Sequence, residues 1–211
     1  MIKKSILLAF LPFIIFSLPA CTYNVAPIDT TLPQKPLIKK LSITVGTYYD
    51  DEFRSYKNVW SLPYPYAISY RITIGAPSVI LFDRVFSEMF TEVLRINHLP
   101  LLPKAKADIA AVIEPGFVDL AIDTDKKMSW IQVGLTYKIT LYDLNGFDIA
   151  NWTIKGSGAS VGVLKSINSA AMVREAAHFA MRDVAAQIML GFHRNPEIKK
   201  WLSGFEITAG N

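Results

Sequence analysis

Residues 131–155 read IQVGLTYKITLYDLNGFDIANWTIK, and this stretch decides the fold class. Apolar residues alternate with polar or small ones, first from Ile131 to Leu141 and then from Ala150 to Ile154. Alternation of this kind predicts strands with one buried face. Asn145-Gly146 lies between the two runs and is a preferred dipeptide for a tight hairpin turn. The stretch therefore predicts a long antiparallel hairpin.

The rest of the chain adds strands and helices around this hairpin. Alternating runs predict strands over 41–46, 66–74 and 107–122, the last with a kink or bulge at Pro115-Gly116. Apolar spacings of three and four predict a helix from Val79 to Ile96 and a second one from Ser169 to Gly191. A flexible link is expected over 156–166, and Asn195-Pro196 opens a short last helix.

The predicted order is β-β-α-β-β-β-α plus a short C-terminal helix. Long hairpins with alternating faces favour an antiparallel sheet with one buried side. We therefore expect an α+β fold, a two-layer sandwich in which a mainly antiparallel sheet is covered by two helices.

Composition excludes several classes of protein. The 211 residues are 51% hydrophobic and 19% charged, which excludes a disordered chain. The net charge is +4, but Lys3 and Lys4 supply two of these charges, so the remaining body is close to neutral. Nucleic-acid binding requires a clustered basic face, and we expect no nucleic-acid partner. The single cysteine excludes an internal disulfide framework.

The first twenty residues have the three parts of a signal peptide. Lys3 and Lys4 precede an apolar run from Ser5 to Leu18, and small residues follow it. A run of about 14 residues is shorter than the roughly 20 that a membrane-spanning helix needs. We therefore expect residues 1–20 to be cleaved.

Leu18-Pro19-Ala20-Cys21 resembles the lipobox of bacterial lipoproteins. The resemblance implies diacylglycerol on the Cys21 sulfur, cleavage between Ala20 and Cys21, and acylation of the new amino group, for instance with palmitate. Several acyl chains give a permanent membrane anchor, whereas one chain is marginal. Thr22 stands where Asp is the usual inner-membrane retention signal of this family, which implies the outer membrane, on its periplasmic side.

The chain after the anchor divides into two parts. Residues 21–40 carry Pro27, Pro33 and Pro36 and few core-forming residues, which predicts a lipidated cysteine followed by an extended tether. Such a tether would hold the body several tens of Å from the membrane. Residues 41–211 are expected to form a single periplasmic α+β domain.

This order of elements resembles small periplasmic lipoproteins that are accessory parts of envelope machines. Similar families are the lipopolysaccharide-assembly lipoprotein, the curli-secretion lipoprotein and auxiliary lipoproteins of lipid transporters. The resemblance rests on 45–49, 75–78 and 142–146 and on the topology of about residues 40–192. It includes no diagnostic motif and therefore carries over no site residue.

Catalytic, cofactor and metal sites are not predicted. His98, His178 and His193 lack metal-ligand spacing. Ser157 lies between two glycines but not in a nucleophile elbow, and the glycines at 156, 158 and 162 do not complete a dinucleotide fingerprint. Asp50-Asp51-Glu52 and Asp123/Asp125 are the densest carboxylates, and solvated loops are the default interpretation. We expect a protein that is not an enzyme and that needs no cofactor.

Aromatic residues crowd one stretch of the chain. Tyrosine and tryptophan are enriched at interfaces, so the stretch is a candidate partner surface, and covering of the sheet by the same rings is an equal alternative. Its candidate residues are Tyr48, Tyr49, Phe53, Tyr56, Trp60 and Tyr64.

The sequence favours a membrane-anchored, non-enzymatic accessory or docking component of a cell-envelope assembly, secretion or transport complex. Its expected partners are the membrane, through the lipid anchor, and another envelope protein. The alternative is a periplasmic binder of a small apolar or lipid ligand held between sheet and helices.

Overall fold

The computed structural model describes residues 21–25, 39–62, 68–99, 109–125, 127, 129–162 and 169–208. Four helices are described: α1 (Asp51–Ser55), α2 (Gly75–Met89), α3 (Ser169–Gly191) and α4 (Pro196–Thr208), with a 3-10 turn, Phe192–Arg194, between the last two. The strands are β1 (Cys21–Val25), β2 (Leu41–Tyr48), β3 (Lys57–Ser61), β4 (Ile68–Thr73), β5 (Phe90–Ile96), β6 (Ala111–Thr124), β7 (Trp130–Tyr142) and β8 (Asp148–Val161). The predicted α+β class is confirmed.

The strands form a large and a small sheet. The large sheet has the order β5-β2-β6-β7-β8, and the small sheet has the order β1-β4-β3. Strand β2 runs parallel to β5 and β6, whereas β6, β7 and β8 pair antiparallel. The large sheet is therefore mixed, and its antiparallel half is the part that the alternating sequence predicts. Gly146 takes a positive φ of 87° in the predicted hairpin turn.

One face of the β7–β8 hairpin is the centre of the core. Helices α2 and α3 cover this face, as predicted, and the Tyr137 hydroxyl forms a 2.7 Å hydrogen bond with the Ser78 hydroxyl of α2. The rings of Phe82 and Phe117 meet Tyr137 edge-on. The hairpin residues buried on this face are Ile131, Val133, Leu135, Tyr137, Ile139 and Leu141.

Helix α2 is shorter than the sequence predicts. Its apolar spacing continues through Val93 and Ile96, but the helix ends at Met89 and β5 begins at Phe90. The backbone N–H and C=O groups on one side of strand β5 form hydrogen bonds with the parallel strand β2. Phe90 enters the main core, and Ile96 joins a second apolar cluster with Ile109 and Val112. Residues 90–96 therefore match the helical spacing only by coincidence, and their pairing with a distant strand decides that they form a strand.

The tether prediction is wrong for residues 21–25. These residues form β1, which pairs with β4, and Val25 is buried in the main core. A strand of five residues gives a weak sequence pattern, and its partner lies 47 residues further along the chain. Residues 26–38, which contain the prolines of the predicted tether, lie outside the described part and join β1 to β2.

The flexible link predicted over residues 156–166 is wrong for residues 156–161, which form the end of strand β8. Gly156 and Gly158 face helix α3, which lies unusually close to the strand. A Cβ atom on Gly158 would lie 2.2 Å from the Ala176 carbonyl oxygen, and one on Gly156 would lie 2.4 Å from that of Ala180. The glycines are therefore packing residues, and residues 163–166 of the predicted link lie outside the described part.

We predict that Gly158→Ala destabilises the protein by about 3 kcal/mol, because the added methyl group meets helix backbone, which cannot move as a side chain can. Gly191→Ala is the matched control, since nothing lies within 4 Å of its Cβ position. Urea unfolding followed by circular dichroism measures both. Equal stability of the two variants would contradict the close packing of α3 on β8.

Candidate functional site: the small sheet that begins at Cys21

Cys21 is the first residue of β1 and pairs with Ile68 of β4. Thr22, Tyr23, Asn24 and Val25 continue the pairing in register up to Ile72. The residue that the lipobox predicts to be acylated is therefore followed directly by a strand of the folded body. No helix in the described part of the chain is long and apolar enough to cross a membrane.

A row of aromatic rings crosses the inner face of the small sheet. Tyr23 of β1 stacks on Tyr70 of β4 with ring centroids 5.8 Å apart, and Trp60 of β3 stacks on Tyr70 from the other side at 5.5 Å. Cross-strand aromatic pairs of this kind stabilise a sheet. Tyr70 is completely buried, so the row closes the inner face of the small sheet.

The outer face of the small sheet is polar and carries positive charge. Its exposed residues include Thr22 and Asn24 of β1, Arg71 of β4, and Lys57 and Val59 of β3. The Ser61 and Ser69 hydroxyls on the same face hydrogen-bond to each other at 2.7 Å. Strands β1, β3 and β4 contain no aspartate or glutamate. We call these seven residues the outer face of the small sheet.

The aromatic residues predicted as a partner surface do not form one surface. Tyr49 and Phe53 stack on each other in the core and are only 1% and 2% exposed, so they cannot contact a partner in this fold. Tyr56 stacks on Phe117 at 3.8 Å. Tyr48 packs on the second apolar cluster, Trp60 belongs to the aromatic row, and Tyr64 lies outside the described residues. Tyr49 and Phe53 are therefore core residues and not part of a partner surface.

A buried tyrosine, an aspartate and an arginine form a polar network that the sequence analysis missed. The Tyr49 hydroxyl donates to Asp83 Oδ1 at 2.9 Å, and Arg95 forms an ion pair with the same carboxylate. The Arg95 guanidinium also lies over the Tyr49 ring, 5.6 Å from its centroid. Burial, and next the Asp83 charge, raise the pKa of the Tyr49 hydroxyl above its ordinary value. These residues come from three elements, so no local motif signals the network, which connects α2 to the ends of β2 and β5.

The carboxylates singled out in the sequence have local structural roles. Asp50 accepts a hydrogen bond from the Phe53 amide and caps α1. Asp125 accepts from both the amide and the hydroxyl of Ser129, and these hydrogen bonds lower the pKa of the carboxyl group. Among the described residues, no group of three His, Cys, Asp or Glu side chains is placed to hold a metal ion.

The histidines and Ser157 each have contacts of their own in the described part of the chain. His98 follows β5, His178 on α3 stacks beside Phe179, and His193 of the 3-10 turn meets Phe192 edge-on. The Ser157 amide donates to Asp183 Oδ2 of α3 at 3.0 Å, which fixes the helix against the strand. These contacts are structural, and they do not bring a histidine to Ser157.

The described part of the chain includes two surface clefts. The larger, about 440 Å³, lies between Ile149 and helix α4 and is lined by Glu197, Lys200 and Trp201. The other, about 230 Å³, lies on the exposed side of β6–β8 beside Gly134 and Lys155. Neither is the interior space between sheet and helices that the lipid-binding alternative requires.

No protein-family model matches the chain, and no curated protein matches it. Solved structures to which the chain is similar include a candidate lipoprotein from Caulobacter crescentus, with 12% identity, a TM-score of 0.39, and coverage of 62% of this chain and 83% of that one. A minor lipoprotein from Acinetobacter baumannii has 10% identity, a TM-score of 0.45, and coverage of 77% and 96%. A homolog of a neuraminyllactose-binding hemagglutinin from Helicobacter pylori has 10% identity, a TM-score of 0.43, and coverage of 82% and 96%. At these scores the similarities assign no function to this chain.

We predict that removing two buried tyrosine hydroxyls has different effects. Tyr137→Phe loses the hydrogen bond with Ser78 and should lower the free energy of unfolding by about 1 kcal/mol. The Tyr70 hydroxyl is buried and has no hydrogen-bond partner among the described residues, so Tyr70→Phe should leave the free energy of unfolding unchanged or raise it slightly. Urea unfolding of the two variants measures the difference, and a larger loss for Tyr70→Phe would contradict the structure.

We also predict that stability falls above pH 10. Burial raises the pKa of the Tyr49 and Tyr137 hydroxyls, so the native state keeps protons that the unfolded state releases. These tyrosines therefore leave the free energy of unfolding unchanged below the ordinary tyrosine pKa of about 10. Above that pH, each buried tyrosine lowers the free energy of unfolding by about 1.4 kcal/mol per pH unit. Absorbance at 295 nm should show part of the tyrosine titration coinciding with loss of circular dichroism. Titration of every tyrosine near pH 10 in a protein that remains folded would contradict their burial.

Proposed function

We propose that this protein is a bacterial lipoprotein, anchored by acyl chains on Cys21, that acts without catalysis as an accessory or docking component of a cell-envelope complex. The observation that carries the proposal is Leu18-Pro19-Ala20-Cys21 directly after an apolar run with two preceding lysines. Cleavage before Cys21 removes the apolar run and leaves a folded body that begins at its own anchor. The proposed location is the periplasmic side of the outer membrane.

The non-enzymatic part of the proposal is supported by the roles of the reactive side chains. The carboxylates Asp50 and Asp125 accept local hydrogen bonds, Asp83 binds Tyr49 and Arg95, and Ser157 is held to α3 through its amide. Each of these groups therefore contributes to folding. A docking function requires only a stable, anchored surface, which this body provides.

The alternative of a lipid ligand between sheet and helices receives less support. At Gly156 and Gly158 the helix backbone lies too close for even a methyl group. An acyl chain would have to separate α3 from β8, which would expose the apolar side of both. We therefore retain the docking proposal.

The anchor is tested by labelling cells with a radioactive fatty acid. We expect label in the wild-type protein and none in Cys21→Ala, whose precursor lacks the acceptor thiol. Thr22→Ser is the matched control, because it alters the neighbouring residue and keeps the thiol. Equal labelling of wild type and Cys21→Ala would contradict the proposal.

The membrane assignment is tested at Thr22, which is exposed on β1. We expect Thr22→Asp to move the protein from outer to inner membrane fractions, and Thr22→Asn, of the same size but uncharged, to leave it in place. An unchanged distribution of Thr22→Asp would contradict sorting by this residue.

The docking role is tested by purifying the protein from cross-linked cells. The absence of any reproducible envelope partner would count against it.

A further inference from the structure

The position of Cys21 in the fold determines how close an anchored body lies to the membrane. Cys21 itself is paired with Ile68, and Thr22 with Ser69, so no chain separates the anchor from the small sheet. An extended residue spans at most about 3.6 Å, which places Asn24 within about 11 Å of the anchor. This step rests on the proposed acylation of Cys21. It follows that the small sheet lies at the level of the lipid headgroups.

Among the described residues, one face of the small sheet is exposed and the other is covered by the core. Its inner face is closed by the aromatic row and by Val25 and Ile72, which belong to the main core. Its outer face is exposed at Thr22, Asn24 and Arg71. A body anchored at the corner of this sheet can therefore rotate until the outer face meets the headgroups.

The chemistry of the outer face matches phospholipid phosphates. Arg71 stands in the central strand, between Asn24 on β1 and Val59 on β3, and Lys57 lies near the end of the same face. An arginine fork binds phosphate oxygens in pairs, and each cation near an anionic bilayer contributes about fivefold in binding. Ion pairs of Arg71 or Lys57 are not found in the described part of the chain. Val59, 54% exposed between these cations, supplies apolar surface at interfacial depth.

We propose that the outer face of the small sheet rests on membrane phospholipids, with Arg71 and Lys57 against headgroup phosphates. The anchored body then has a fixed orientation. Helix α3 begins beside the small sheet and extends about 33 Å along its own axis to Gly191. The β7–β8 hairpin, with Phe147 72% exposed, lies at that far end and is presented to the periplasm.

The single cysteine makes a clean test of this orientation. Since Cys21 would be acylated, Val59→Cys or Phe147→Cys supplies the only free thiol for an environment-sensitive fluorophore. The lipidated mature protein, purified from cells, is reconstituted into vesicles of phosphatidylethanolamine and phosphatidylglycerol that contain a lipid with a spin-labelled headgroup. We expect strong quenching at position 59 and none at position 147. The charge-reversed pair Lys57→Glu and Arg71→Glu should abolish most of the quenching at 59, whereas Lys57→Arg and Arg71→Lys should retain it.

The outcomes separate this inference from the proposed function. Mass spectrometry that finds Cys21 unmodified overturns both. An acylated Cys21 with no quenching at position 59, or with equal quenching at 59 and 147, overturns only the orientation. Protection of position 59 in native envelope membranes but not in lipid vesicles also overturns it, because the outer face would then bind a protein.

Discussion

The close approach of helix α3 to strand β8 is the constraint on which the arrangement of the other elements depends. Gly156 and Gly158 allow the helix to lie on the strand at a distance that no side chain permits. One end of α3 then lies against strand β1 of the small sheet. Its other end leads into Phe192, whose ring meets Phe90 and Trp152 edge-on. A single packed helix thus fixes the small sheet, the edge of the large sheet and the C-terminal helix relative to one another.

The position of the small sheet changes how the anchor is understood. A proline-containing tether would leave the body free to reach partners at a distance. If Cys21 is acylated as proposed, a strand that begins at this residue would instead hold one face at the membrane and present the opposite end outward. The distribution of charge agrees with this difference, because the three strands nearest Cys21 carry Arg71 and Lys57 and no carboxylate. For a docking protein, a fixed orientation limits which surfaces a partner can reach.

The aromatic residues illustrate how a composition signal can have two meanings. A cluster rich in tyrosine is typical of interfaces and of cores that need a polar group at their edge. Here Tyr49 and Phe53 stack inside, and the Tyr49 hydroxyl is satisfied by Asp83. Tyr137 likewise places its hydroxyl on Ser78. Most of the aromatic surface is therefore used to join α1, α2 and the two sheets, and what remains exposed is distributed over separate places.

The sequence alone determined the strands of the β6–β8 meander as far as Lys155, helix α3 and the candidate anchor residue, because alternation, apolar spacing and the lipobox-like segment are local patterns. Only the tertiary structure decided that residues 90–96 form a strand, that residues 21–25 belong to the body, and that Gly156 and Gly158 are packing positions. Each of these depends on partners distant in sequence: β2 for β5, β4 for β1, and α3 for the glycines. Short segments carry too little periodicity to specify their state, so the free energy of pairing and packing with remote elements decides it.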